Sequence, residues 1–205
     1  TITVTIAKAG ESGGVTTFEE LQAAVEAGGT VKLGGNITLG NDVILAVSSS
    51  VPVILDLNGY TLTSNRAPIQ VQPDVICTIK NGTVTNTADR MEAISNFGTL
   101  TVQNCTLNAN NYFPLINGYT AIVTDSTLNG NYNGDSICNQ QAYSDTVTLT
   151  LSGTVNMSGG IRNTYAASVV TVLPGTYTFD PTSYVDADAY TVTDNDDGTW
   201  SVTAK

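Results

Sequence analysis

None of the 205 residues is histidine, so serine-histidine, cysteine-histidine and histidine-metal chemistry are excluded at the outset. What remains for catalysis is carboxylate chemistry, and the central acids are Asp56, Asp74, Asp89, Glu92, Asp125, Asp135 and Asp145. Glycoside hydrolysis needs two carboxyls within roughly 5 to 9.5 Å. Aligned on the repeat of the chain, these acids do not fall in register: Asp125 lies two residues before Thr127, where the flanking repeats carry Asn104 and Ser152. The mixed-charge loop of Asp89, Arg90 and Glu92, with Lys80 as a further cation, reads as a solvated bend ahead of an acid-base pair. The run Asp194-Asn195-Asp196-Asp197-Gly198 has the composition of a calcium loop, but its glycine comes one place early for an EF-hand and no distal glutamate follows. It reads as a hairpin turn. No catalytic residue, metal site or cofactor is assigned.

Aromatic rings beside amides offer different chemistry. Phe97, Tyr119, Tyr143 and Tyr165 each follow an asparagine of a regular series by one to four residues, and Tyr112 and Tyr132 sit in the loops NANNYF and NGNYNGDS. Planar faces next to amide donors and acceptors suit sugar stacking, so Tyr112, Tyr132, Tyr119, Tyr143 and Tyr165 are the candidate glycan-binding residues. The same rings also suit stacking on one another between repeats. Cys77, Cys105 and Cys138 are odd in number and 28 and 33 residues apart, which fits buried small hydrophobes rather than a disulfide framework or a metal knuckle.

Composition narrows the partners. The formal charge is −11 with seven Lys and Arg, which argues against nucleic acid. No run approaches eighteen apolar residues, so no membrane-inserted helix is expected, and the first residues lack the basic-then-apolar pattern of a signal peptide. Only 12% of residues are charged, whereas Thr numbers 32 and Asn 19; Thr favours strands and Asn favours turns.

These residues recur with a period. The unit apolar-x-[Asn/Asp/Pro/Gly]-small-Thr-apolar appears as VKLGGNITL, ILDLNGYTL, TIKNGTV, TVQNCTL, IVTDSTL, LTLSGTV and TVLPGTY. Its threonines are Thr38, Thr61, Thr83, Thr106, Thr127, Thr154 and Thr176, at spacings of 23, 22, 23, 21, 27 and 22. Leu39, Leu62, Val84, Leu107, Leu128, Val155 and Tyr177 follow them. A second series, Asn96, Asn117, Asn139 and Asn163, runs in phase at spacings of 21, 22 and 24. Three short strands per repeat stacking in parallel predict an all-β parallel β-helix of about seven coils. Aliphatic side chains such as Leu62, Val84 and Leu107 would stack inside, the threonines would form an outward ladder, and the asparagines would bond from coil to coil at a bend.

Both ends carry covering elements. Residues 17–28 form the one convincing helix: Thr17 and Glu20 make a capping box, Phe18, Leu21, Ala24 and Val25 an apolar stripe, and Gly28-Gly29 a stop. Residues 190–193 and 199–203 flank an Asp-Gly turn and predict a hairpin. The expected organisation is residues 1–14 as a strand and linker, 15–180 as the β-helix with its helical cap, and 181–205 as a hairpin cap. Thr1–Ile6 alternates Thr with Ile and Val and could pair with the first coil or with another subunit.

The phrase TFEELQAAVEAGGTVKLGGNITL, followed by LDLNGYTL, NGTV and FGTLTVQNCTL, resembles the opening coils of pectate-lyase-like right-handed β-helix proteins, a superfamily of polysaccharide-degrading enzymes, bacterial surface proteins and bacteriophage tail spikes. The ending GTYTFDPTSYVDADAYTVTDNDDGTWSV looks like the terminal segment of such domains in bacterial surface and phage-encoded proteins. The resemblance implies a right-handed solenoid and is specific for architecture rather than activity. Together with the missing catalytic set it leads to a non-enzymatic structural or adhesive protein as the expectation, located on a virion (decoration, fibre or spike) or on a bacterial surface. Expected partners are further copies of the chain, as in a trimer, other virion or cell-surface proteins, and surface glycans. A polysaccharide lyase or glycoside hydrolase, or a glycan-binding module without catalysis, is the alternative.

Overall fold

A computed structural model describes residues 13–140 and 145–205. The strand expected at Thr1–Ile6 and the candidate residue Tyr143 lie outside the described residues. The chain folds as a parallel β-solenoid of about six turns built from two sheets. The first holds β1 (Gly29–Lys32), β2 (Ile37–Thr38), β4 (Val53–Asp56), β5 (Thr61–Ser64), β7 (Ile76–Asp89), β9 (Thr99–Asn110), β11 (Thr120–Asn129), β13 (Val147–Met157), β15 (Ser168–Tyr177), β16 (Tyr190–Asp194) and β17 (Trp200–Ala204). The second stacks β3 (Leu45–Val47), β6 (Ile69–Val71), β8 (Ile94–Asn96), β10 (Leu115–Asn117), β12 (Asp135–Asn139) and β14 (Gly160–Asn163). Seven parallel strands, β1 to β15, stack in one wall but only six in the other. The count of seven coils is therefore one too many, because the last repeat leaves the solenoid after β15 instead of closing a turn.

Register follows the interior. Val31, Leu55, Ile79, Val102, Val123, Leu151 and Val172 stack one per coil, and all are buried. Leu45, Ile69, Ile94, Leu115 and Ile137 do the same on the second sheet. Slipping a strand by one residue would turn each of these aliphatic groups to solvent, so the apolar columns hold the register.

From the third coil on, two arms of the first sheet merge into one strand bent at a residue with positive φ. Asn81 (60°), Asn104 (52°), Asp125 (47°) and Gly153 (68°) occupy that bend. Asn, Asp and Gly tolerate this left-handed region, which explains the variable Asn/Asp/Gly position of the repeat. Past the bend, Leu62, Val84, Leu107 and Leu128 stack inward behind Thr61, Thr83, Thr106 and Thr127. The series departs from expectation at both ends. Ile37, not Leu39, stacks on Leu62, because the bend from Asp56 to Leu62 is one residue longer than that from Lys32 to Ile37. Leu128 stacks on Met157 and Thr127 on Asn156, while Thr154 pairs only onward with Thr176. A register shift between Thr124 and Ser126 absorbs the extra residue. Asp125 consequently faces Gly153 rather than Ser152, and its carboxylate accepts the Thr154 amide at 3.0 Å.

The outer strands meet non-repeating elements. Helix α1 (Phe18–Ala27) has the full capping box between Thr17 and Glu20 and buries Leu21 and Val25. Gln22 on its flank acts as a one-residue strand: its amide donates to the Ala46 carbonyl at 3.1 Å and accepts the Ala46 N–H at 3.3 Å. The outer edge of β3 thereby gains a partner. Val15 forms a parallel bridge to Leu33 beside β1. At the other end, β17 pairs antiparallel with β15, and β16 with β17. Among the described residues, no helix is long and apolar enough to cross a membrane.

Candidate functional site

The second sheet presents one residue of each strand outward: Ala46, Gln70, Ser95, Ile116, Cys138 and Arg162 are successive partners. Ile116 and Cys138 are apolar and buried although they point away from the solenoid core. The loops before β10 and β12 fold over them and carry Tyr112, Phe113 and Tyr132, which form a separate cluster with Ile116 and Cys138. The three rings lie within 5.0–5.2 Å of one another, centroid to centroid, in tilted or edge-on contacts. Phe113 is buried, whereas Tyr112 and Tyr132 are half-buried and form the lip. Burial, with Glu92 nearby, raises the Tyr112 phenol above its ordinary pKa, so the ring remains a neutral hydroxyl.

Arg162 caps this cluster. Its guanidinium lies 5.3 Å from the Phe113 ring centre and 5.7 Å from that of Tyr132, within cation-π range. It also bonds the Asp135 carboxylate at 2.8 Å and the Tyr132 carbonyl at 3.3 Å. Among the described residues this is the one salt bridge.

Beside the lip lies an open groove of about 510 Å3 lined by Asn86, Asn108 to Asn111, Asn129 to Asn131 and Ser158. Its amides form a rising network: Asn108 donates to Thr85 at 3.0 Å, Asn129 to Asn108 at 2.9 Å, Asn111 to Asp89 at 2.9 Å, and Asn131 to the Ser158 carbonyl at 3.0 Å. The two Asn-rich loops, about twenty residues apart in sequence, thus become neighbours because one coil separates them.

The four candidate tyrosines among the described residues split across the second sheet. Tyr112 and Tyr132 meet at its leading edge, whereas Tyr119 and Tyr165 follow its trailing end. Tyr119 is 37% exposed, and the Tyr165 hydroxyl donates to the Asp145 carbonyl. Between the two pairs runs the asparagine ladder: Asn96 donates to Asn117 at 2.9 Å, Asn117 to Asn139 at 3.0 Å, and Asn139 to Asn163 at 2.9 Å. Phe113 and Arg162, which complete the cluster, were not among the candidates. Their signal is the apolar middle residue of LIN and ICN, since an outward Ile or Cys must be covered by something.

Several of the acids are used structurally. Asp89 accepts from Asn111, Glu92 from the Ser95 hydroxyl, and Asp125 from the Thr154 amide. Lys80 sits on the first sheet beside Asp56 and Gln103. Asp197 accepts from Thr199 in the hairpin turn, which lowers its pKa. Among the described residues no three His, Cys, Asp or Glu groups converge as metal ligands. The three cysteines are free and buried, and burial pushes Cys77 up to about 12 and Cys105 up to about 11; such thiols stay protonated and unreactive. The geometry defines a β-solenoid with one aromatic and amide-rich edge. No protein-family profile, curated protein or solved structure matches the chain.

Proposed function

We propose that this chain is a non-catalytic structural or adhesive solenoid of a virion or bacterial surface, and that it contacts glycans through the edge formed by Tyr112 and Tyr132. The observation that carries the reading is the contact between two half-exposed rings, Tyr112 and Tyr132, each next in sequence to an asparagine, Asn111 or Asn131, that lines an amide-rich groove on a stacked scaffold. Rings supply the apolar face that sugars stack on and amides supply the hydrogen bonds. The resemblance to surface and spike β-helices supports the location, and repeated low-affinity sites on an oligomer would gain avidity.

Glycan-array binding tests it. Wild-type protein should give signal that Tyr112→Ala and Tyr132→Ala each reduce at least severalfold, in variants that circular dichroism shows to be folded at the assay temperature. Release of unsaturated or reducing ends from polysaccharides, abolished by Asp125→Asn or Arg90→Ala, would overturn the non-catalytic reading in favour of a lyase or hydrolase.

A further inference from the structure

We infer that the groove beside Tyr112 and Tyr132 takes an uncharged, hydroxyl-rich glycan running along the solenoid axis, and that Asn110 is its principal hydrogen-bonding contact. This rests on the glycan-binding reading above and adds the ligand class and the contact residue. The groove crosses four coils, from Asn86 through Asn108 and Asn129 to Ser158, a length on the order of 14 Å at the coil spacing of stacked strands. A chain of a few sugars laid along the axis would meet one amide per coil.

Charge sets the class. No lining residue is ionisable, and the whole chain carries −11. A uronate, sialylated or sulfated glycan needs cations that the groove lacks. The guanidinium nearest the rings, Arg162, is already held by Asp135 and stacked on Phe113 and Tyr132. Arg90 adjoins the groove through its backbone bond to Asn110, but Asp89, which accepts from Asn111, stands beside it, so an anionic chain gains little net attraction there whereas a neutral one loses nothing.

Asn110 is singled out by elimination within the groove. Asn108, Asn111, Asn129 and Asn131 each commit one side-chain N–H to the scaffold, which fixes the amide's orientation and leaves one N–H apiece. The Asn110 side chain is exposed and has no hydrogen bond among the described residues, while its backbone carbonyl accepts from Arg90. It can offer two donors and an acceptor at no cost to the fold.

The experiment is a panel of neutral glucans, mannans and galactans beside uronate-containing, sialylated and sulfated glycans, followed by calorimetric titration of the best-bound oligosaccharide. The expected result is binding confined to neutral glycans and insensitive to added salt. Asn110→Ala should weaken it about five- to tenfold at unchanged thermal stability. Binding of acidic glycans that still depends on Tyr112 would overturn the neutral class and leave the parent reading standing. Neutral binding unaffected by Asn110→Ala would overturn the groove. Absence of any binding by the wild-type chain would overturn both readings.

Discussion

Asn117 makes the residue-scale logic concrete. It is fully buried, accepts from Asn96, and donates both to Asn139 and to the Thr148 carbonyl. The same interior column carries Val47 and Val71 in the earlier coils, so an aliphatic residue fits the space. At the first two rungs of the ladder the next bend is short: two residues link Asn96 to Thr99 and Asn117 to Thr120, against five between Val47 and Val53, whereas seven separate Asn139 from Val147. A tight bend leaves backbone groups inward, and the ladder satisfies them, since Asn96 accepts the Gly98 N–H and donates to the Thr120 carbonyl. Asn117→Ala should cost about 3 kcal/mol, because partners on both neighbouring coils and a carbonyl lose their bonds while remaining buried. Urea unfolding measures it, and a cost near that of an exposed Asn→Ala change would refute the ladder's role. The ladder was readable from spacing alone, since a buried amide column must recur once per coil. Arg162 was not readable in this way, because its partners Phe113 and Tyr132 come from loops that fold back over the outer face.

At the scale of elements, the strands were easier to read than their alignment. Motif similarity pairs Thr127 with Thr154, but hydrogen bonding pairs it with Asn156. The motif is thus two residues out of step with the ladder, one of them inserted at the bend, where pairing passes from Thr124 with Ser152 to Thr127 with Asn156. Gly175 marks how tightly these strands then pack: a Cβ there would fall 2.0 Å from the Gly153 carbonyl oxygen. Helix α1 was fully legible because its signals are local. Glu20 closes the capping box by accepting the Thr16 and Thr17 amides, and those bonds hold its pKa below the ordinary value. A depressed carboxylate pKa stabilises the fold fully above the unfolded value and loses that effect as pH falls through the folded value. Glu20→Gln should therefore lower the urea midpoint at pH 7, and the gap from wild type should close below about pH 4. A gap that persists undiminished in acid would assign the effect to packing instead.

For the whole molecule, low charge and covered edges belong to one problem. Stacking places each outward side chain about 4.8 Å from its counterpart, so uniform charges would repel in every coil. Thr99, Thr120 and Thr148 form such a column without charge, and where charge enters it alternates, as in Lys32, Asp56 and Lys80. An uncharged stack, however, leaves terminal strands free to recruit other chains, since no repulsion blocks edge pairing. The hairpin meets this at β15, where Gly175 to Tyr177 pair with Val202 to Trp200. Val202 is the buried anchor, joining the core while its backbone lies between Gly175 and Val192. Val202→Asp buries a carboxylate without a partner and should destabilise hairpin docking by about 2–4 kcal/mol. Sedimentation should then report concentration-dependent association beyond that of wild type, with thioflavin binding as the freed β15 edge pairs between chains. Because the added negative charge on a chain of −11 would by itself oppose association, increased assembly of this variant would trace to the exposed edge. An unchanged oligomeric state, with the hairpin shown to be released by rapid proteolysis after Tyr177, would mean that the segment from Phe179 to Val185 covers the solenoid end unaided.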